Sequence, residues 1–348
     1  MVSVPFGGRV AIRNTPPAPK DTTNFGRGAP LWSHGGGANA CHEITTDGTG
    51  LSVKESAPRS DEFPVADARP TVSVVIPTFR RAGLVPRAIN SVLRQTFKDI
   101  EVIVIDDASP DNTGEIVQAI SDPRVRYFRH EQNRGLPAVR NTGVRQAAGE
   151  FIAFLDDDDE WREDKLEHQL RAIESHDIVV CACQVNGKSV TRYRKSMISA
   201  ADLREGNQFP PSGWLARAAV LKKILFDEAI RQGEDWDALI RIALIFRVGY
   251  LPEPLLIYND GGHERMSNEG KNKSIEELDQ RMYMLHKHEA FFGPYWFRHH
   301  VADTYLRYIG SRQNRMPVLL HAIKRCGVVP VLTVLGEKLA RQLRLQFA

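Results

Sequence analysis

The stretch Phe151-Ile152-Ala153-Phe154-Leu155 runs directly into Asp156-Asp157-Asp158-Asp159, and this junction limits what the chain can become. Five consecutive apolar residues after Gly149-Glu150 read as a strand buried on both faces, which belongs inside a parallel sheet covered by helices. Four adjacent carboxylates repel one another and resist burial, so a divalent cation, or a ligand carrying one, is the natural counter-charge. Hard cations such as Mg2+ and Mn2+ take oxygen ligands, usually one or two carboxylates with substrate phosphates. An acidic turn that simply caps a helix starting near Glu163 is the alternative.

Two earlier segments read as strands of the same kind. Val72-Ser73-Val74-Val75-Ile76 is a β-branched strand stopped by Pro77, and Val85, Ala88, Ile89 and Val92 follow at helical spacing. Glu101 to Ile105 is a second buried strand that ends in Asp106-Asp107, and a turn over 108–112 leads into a short helix through Ile116, Val117 and Ile120. Val125 to Phe128 makes a third strand. The loop Asn133-Arg134-Gly135-Leu136-Pro137 then precedes a helix carrying Arg140 and Asn141. This alternation predicts an α/β sheet with right-handed crossovers, whose ligands sit beyond the C-terminal ends of the strands. Pro77-Thr78-Phe79-Arg80, Asp106-Asp107 and Asp156 to Asp159 all fall on that edge. Helix capping would have to account for all three at once.

Composition narrows the class. Residues 1–68 are dominated by Gly, Pro, Ser, Thr, Asn and charges, too little apolar surface to offset ordering entropy, and read as a disordered extension. A net charge of +3 without a basic run gives no sign of nucleic-acid binding. The four cysteines, at 41, 181, 183 and 326, lack zinc-like pairing, which suits a reducing compartment. No apolar stretch approaches the roughly 20 residues that span a bilayer, and the N-terminus has no charged-then-apolar signal pattern. The expectation is a cytoplasmic protein.

With these motifs in order, the chain resembles the family-2 glycosyltransferases of the GT-A fold, from Val72 to about Ser267. The resemblance is carried by Ser73 to Phe79, by Val104 to Asp111, by Asn133-Arg134-Gly135 with Ala138-Val139-Arg140-Asn141-Thr142-Gly143, and by Phe154 to Asp159. It implies that Pro77, Thr78, Phe79, Asp106 and Asp107 hold the nucleoside of a nucleotide-sugar donor, and that the last motif holds Mn2+ or Mg2+ on its diphosphate. Asp158 is the preferred metal ligand. Asp156 is the second candidate, for metal or ribose, and Asp157 and Asp159 are not separable from them by sequence. Arg140 is a candidate to neutralise the diphosphate or a surface ion-pair partner.

Further along, Asp177 to Cys183 reads as a strand whose two cysteines share one face, as small core residues. Pro210-Pro211-Ser212-Gly213-Trp214 is turn-rich, with the indole either in an acceptor pocket or buried, and a helix is expected through Leu215, Ala218, Ala219 and Leu221. Phe226-Asp227-Glu228 and Gly233-Glu234-Asp235-Trp236-Asp237 precede a helix with Leu239, Ile242, Ala243 and Phe246 on one stripe, so the acids stand at its N-terminal turn. This pair of segments looks like the acceptor-side motif of the family. The resemblance makes Asp235 the catalytic base of an inverting reaction and Glu234 its neighbour, which orients it or binds acceptor. Leu255 to Tyr258 is a strand. After it, His263 matches a metal or diphosphate ligand of the family, although Asn259 stands where the family usually has a basic residue.

Ser274 and Glu277 form a capping-box pattern opening a helical tail. The last helix sets Val331, Leu332, Leu335, Leu339 and Leu343 among Lys338 and Arg341, which suits either a peripheral contact with the inner face of the cytoplasmic membrane or packing on the body. The chain is therefore expected to comprise an extension over 1–68, a GT-A domain over 69–268, mostly parallel with flanking helices, and a helical appendage over 269–348. Its expected activity is metal-dependent transfer of a sugar from a nucleoside diphosphate donor to a glycan or lipid-linked glycan acceptor, in surface polysaccharide or lipopolysaccharide synthesis. A non-catalytic nucleotide-sugar or glycan-binding module on the same fold is the alternative. A sugar-nucleotide pyrophosphorylase would need a glycine-rich basic loop after the first strand, where this chain has a single glycine, Gly83.

Overall fold

The computed structural model describes residues 69–190, 193–259, 273–312 and 315–346. The expected extension over 1–68 and His263 lie outside them. Ten strands form one sheet among the described residues. In chain order they are β1 Val72–Thr78, β2 Ile100–Asp106, β3 Val125–Arg129, β4 Phe151–Phe154, β5 Glu160–Trp161, β6 Ile178–Val185, β7 Lys188–Ser189, β8 Met197–Ile198, β9 Trp214–Arg217 and β10 Val248–Tyr258. Across the sheet the order is β3-β2-β1-β4-β9-β6-β10-β5, with β7 on β6 and β8 on β10.

The first four strands are parallel neighbours, as continuous β-branched runs require when both faces are covered. Their register sets Pro77 beside Ile105 and Thr78 beside Asp106, so the polar ends of β1 and β2 finish level. Alternate residues feed two cores. Val75, Ile103, Ile152 and Phe154 face one side, and Val74, Val102, Val104 and Ala153 the other. Each such fully buried Val, Ile or Phe side chain contributes about 1.5–3 kcal/mol. On the first side the helix Leu136–Gln146 presses against β1 so closely that a Cβ on Gly143 would sit 2.2 Å from Val75 Cγ1. That contact needs glycine, and it brings Arg140 of the same helix under the strand ends.

Two expected elements are corrected. Leu215 is not helical. Trp214–Arg217 pairs antiparallel with both β4 and β6, and the helix begins only at Ala218. Sheet pairing outweighs the helical spacing of four residues there. The strand expected at Leu255 to Tyr258 is the end of the longer β10, whose register shifts around Pro254 because proline lacks the ladder donor.

The tail follows its capping signal. Ser274 N–H donates to Glu277 Oε2 at 2.7 Å and Glu277 N–H donates to Ser274 Oγ at 3.2 Å, opening the helix Ile275–Gln280. Helices Tyr283–Lys287, Glu289–Leu306, Arg315–Cys326 and Val328–Gln346 follow. Leu278, Met282, Phe292, Tyr305, Val318 and Val331 join the core that also holds Val75 and Phe154, so the tail covers one face of the sheet. No helix among the described residues is long and apolar enough to cross a membrane. Cys181 is a buried core residue of β6, and burial pushes its thiol up to about 11.

Candidate active site

Beyond the C-terminal ends of β1, β2 and β4 lies a cleft of about 780 Å³. Its walls include Pro77, Thr78 and Phe79 after β1, Asp107 after β2, the Asp156–Asp159 turn after β4, and Glu234 with Asp235. The adjacent Asp106 is not among them. Successive strand residues point to opposite faces, and Asp106 is turned inward and fully buried. It accepts the Ser109 N–H at 2.8 Å and the Tyr127 hydroxyl at 2.6 Å. Burial, with that carboxylate, drives the Tyr127 phenol up. Asp106 therefore shapes the turn after β2 and does not face the cleft.

Asp107 faces the cleft but is already engaged. It accepts the Arg134 N–H at 2.9 Å and the Gly135 N–H at 2.8 Å, and His130 Nδ1 lies 2.8 Å away. Gly135 stands at φ +86° as the helix Leu136–Gln146 begins, a conformation glycine adopts without a Cβ penalty. The Asn133-Arg134-Gly135 motif is thus the loop that Asp107 clamps, and the clamp fixes the start of the helix carrying Arg140.

The four aspartates separate by alternation. Asp157 and Asp159 are buried, whereas Asp156 and Asp158 are half-buried at the cleft. Asp159 accepts the Ser212 hydroxyl at 3.1 Å, and Ser212 Oγ accepts the Asp156 N–H at 3.1 Å. The Asp158 carbonyl accepts from Arg87 Nη2 at 3.2 Å and Asn259 Nδ2 at 3.3 Å, while Arg87 Nε lies 3.0 Å from Glu160. Asn259 thus anchors the acidic turn from the end of β10. Burial pushes the Asp157 carboxyl up to about 7, with repulsion from Asp158 adding to the rise and the Arg81 guanidinium, 3.8 Å away, opposing it. Among the described residues no three His, Cys, Asp or Glu side chains converge as a ready metal cage. Two half-exposed carboxylates still fit a hard cation that draws its remaining ligands from phosphates and water.

Arg140 joins this turn to the opposite wall. Only 1% exposed, it places Nη2 2.9 Å from Asp156 Oδ1 and Nη1 2.8 Å from Glu234 Oε1, with its guanidinium 5.5 Å from the Phe226 ring centroid. Burial acts against its charge, but Asp156, Glu234 and Asp235 outweigh burial and hold its pKa up. Both Nη groups meet carboxylates and the side chain is buried, so Arg140 is an internal bridge along the cleft and not a surface ion-pair partner.

Glu234 and Asp235 open the helix Glu234–Ala243 after Gly233, which adopts φ +81°. Burial, then the neighbouring Glu234 carboxylate, pushes Asp235 up. Its Oδ1 accepts the Trp236 N–H at 2.7 Å and its Oδ2 accepts Asn207 Nδ2 at 2.8 Å. Asp237 points inward instead, 2.7 Å from Lys287 Nζ and 2.8 Å from His288 Nε2. The Phe226-Asp227-Glu228 segment is occupied structurally. Asn141 bonds the Phe226 N–H and carbonyl and Glu228, each at 2.9 Å, and Asp227 pairs with Lys287 at 2.6 Å. Trp214 is fully buried, its indole N–H donating to the Phe209 carbonyl at 2.9 Å, which removes it from an acceptor pocket. Pro210 and Pro211, just before it, do line the cleft. Sequence reading missed Arg87, Asn207 and Ser212.

The cleft-building half of the chain has known relatives. Residues 73–228 match the description of glycosyl transferase family 2. Uncharacterized glycosyltransferases of Rickettsia felis and Rickettsia conorii are each 36% identical over 227 residues, covering 62% of this chain and 37% of theirs. This chain thus spans little more than a third of those relatives. The succinoglycan biosynthesis protein ExoO of Rhizobium meliloti is 32% identical over 252 residues, 67% of this chain and 71% of that one. The fold alone is shared with a mannosyltransferase of Pyrobaculum calidifontis solved with GDP-Man and Mn2+, at a TM-score of 0.51 and 20% identity over 80% of this chain and 81% of that one. With more than two thirds of the succinoglycan relative aligned, and the family match running from β1 to the segment that Asn141 holds, this α/β chain of GT-A fold belongs to glycosyl transferase family 2.

Proposed function

We propose that the chain is a metal-dependent, inverting glycosyltransferase that moves a sugar from a nucleoside diphosphate donor to a hydroxyl of a glycan acceptor. The observation that carries this reading is the Arg140 bridge, which ties a carboxylate of the acidic turn to Glu234 beside a proton-accepting Asp235 in one cleft. Asp156 and Asp158 would hold Mn2+ or Mg2+, and the bound ion would offset the charge that develops on the departing diphosphate. Pro77, Thr78 and Phe79 form the wall assigned to the nucleoside. Asp107 contributes by fixing the 133–135 loop. Asp235, raised from 3.8 to about 7, has a basicity matched to taking the acceptor hydroxyl proton at neutral pH. Glu234, held by Arg140, contributes through its charge to that rise.

The succinoglycan relative supports a polysaccharide acceptor, and the proposal includes a lipid-linked form of it handled on the cytoplasmic side. Exposed Leu320, Val328, Leu332 and Leu339, near Lys324 and Arg341 on the last two helices, support peripheral contact with an anionic membrane.

Thermal shift with UDP-, GDP- and dTDP-sugars, with and without Mn2+, tests the donor class. One nucleotide sugar should stabilise the protein in a metal-dependent, saturable way, by about 2.7 kcal/mol at a hundredfold excess over Kd, and Asp158→Ala should abolish the effect. No stabilisation by any donor would sink the proposal. Metal-dependent donor binding with turnover unaffected by Asp235→Asn would favour a binding module instead.

A further inference from the structure

We propose that Asn207 is a positioning residue for the base, holding the Asp235 carboxylate in the orientation that receives the acceptor proton; this rests on the assignment of Asp235 above. The amide of Asn207 is oriented without ambiguity. Its Oδ1 accepts the Phe209 N–H at 3.1 Å, which leaves Nδ2 as the group that donates to Asp235 Oδ2 at 2.8 Å. The other carboxylate oxygen is taken by the Trp236 N–H at 2.7 Å. One bond comes from the helix that bears the base. The other comes from a separate loop, and together they fix the carboxylate plane.

That loop is itself clamped from two directions. Trp236 Nε1 donates to the Leu203 carbonyl at 2.8 Å, and His300 Nε2 lies 2.6 Å from the Arg204 carbonyl. Trp236 and His300 also meet edge to face with ring centroids 4.9 Å apart. His300 belongs to the tail helix Glu289–Leu306. The tail therefore reaches the reaction centre through the loop that presents Asn207. The charged groups that act on Asp235 are Glu234, Arg140 and Asp156, and all three lie toward the cleft wall. Asn207 supplies a neutral donor to the oxygen that none of the three is seen to bond. Without it, the carboxylate would be free to swing away from an incoming hydroxyl, and a base misplaced by an ångström can lose about a hundredfold in rate.

The experiment compares the wild type with Asn207→Ala, Asn207→Ser, Asp235→Asn and the Asn207→Ala/Asp235→Asn double variant. Turnover is followed as nucleotide release from UDP-glucose, GDP-mannose and dTDP-glucose with Mn2+, water serving as acceptor, and the Asp235 carboxyl is titrated by carbon-13 NMR. Both Asn207 variants should lower kcat by about 10- to 100-fold with donor KM within about twofold. The double variant should be no slower than Asp235→Asn alone, because a residue acting through Asp235 has nothing left to act on. The NMR midpoint of Asp235 should rise when the donor is lost, and this readout stands by itself where turnover in water is too slow to follow. Losses that add in the double variant, or an unchanged midpoint in both single variants, would overturn the proposal. Unchanged turnover in Asp235→Asn would instead remove Asp235 as base, while the shifted midpoint would still establish the Asn207 contact.

Discussion

Replacing Arg140 with methionine keeps most of the side-chain volume and removes the charge that joins the two walls of the cleft. The Glu234 limb is the more deeply buried, with that side chain 10% exposed against 30% for Asp156. Leaving a buried carboxylate unpaired costs about 3 kcal/mol, and the more hydrated Asp156 limb adds about 1 kcal/mol. The methionine recovers about 1–2 kcal/mol through its apolar surface against Phe226. The net loss is about 2–3 kcal/mol, equivalent to a fall in Tm of roughly 3–5 °C for a body of this size. Urea unfolding followed by circular dichroism, without metal or nucleotide, measures it directly. Adding Glu234→Gln removes the stranded charge, so Arg140→Met/Glu234→Gln should regain about 1 kcal/mol over the single variant. A loss below about 0.5 kcal/mol would refute the buried-bridge argument, since only solvent-exposed pairs are worth so little.

Other outcomes follow from the same geometry. Because the folded Asp235 carboxyl titrates near 7 rather than at its ordinary 3.8, the folded protein holds a proton between those values that the unfolded chain has released. Its contribution is fully present below the lower value and is lost as pH rises through the higher one. Asp235→Asn should thus raise Tm at pH 8 and leave it nearly unchanged at pH 4, while wild-type turnover climbs through about pH 7 and the variant loses about 100-fold or more. Gly143→Ala should destabilise by about 1–3 kcal/mol through collision with Val75, and Val75→Ala in the same chain should relieve part of that loss in a denaturant titration. Vesicles containing phosphatidylglycerol should co-sediment the protein at low salt, and Leu332→Glu/Leu339→Glu should abolish this; equal binding to neutral vesicles would contradict the charge argument.

The sheet was legible wherever sequence carried its own period. β4 is an unbroken apolar run, β1 and β2 are apolar up to their polar ends but for Ser73 and Glu101, and the acidic ends of β2 and β4 mark the cleft without reference to distant residues. β9 was not legible, because four residues fit a helical turn as well as a strand and only the flanking β4 and β6 decide between them. β10 was read only in its last four residues because Pro252 and Pro254 interrupt the pattern that the bulge accommodates. Within the site, Asp106 and Asp107 were read as a pair although strand alternation turns them to opposite sides. In the turn after β4, burial alternates as well and separates Asp156 and Asp158 from Asp157 and Asp159. The partners of Arg140 lie 16 and 94 positions away, a pairing no local signal carries. Asn207, in a polar loop of ordinary composition, gave no sign of its contact with Asp235.

The Asp158 carbonyl is held by Arg87 from the helix Val85–Leu93 and by Asn259 from the end of β10, so the acidic turn is braced from both sides at its backbone. Its conformational freedom is surrendered when the sheet forms, not when a ligand arrives. A cation bound there as proposed would find little loop entropy left to remove, and a frame with little give would discriminate among ions by radius. Loosening Arg87 or Asn259 would be felt first as weaker selection between ions, before any loss of the fold.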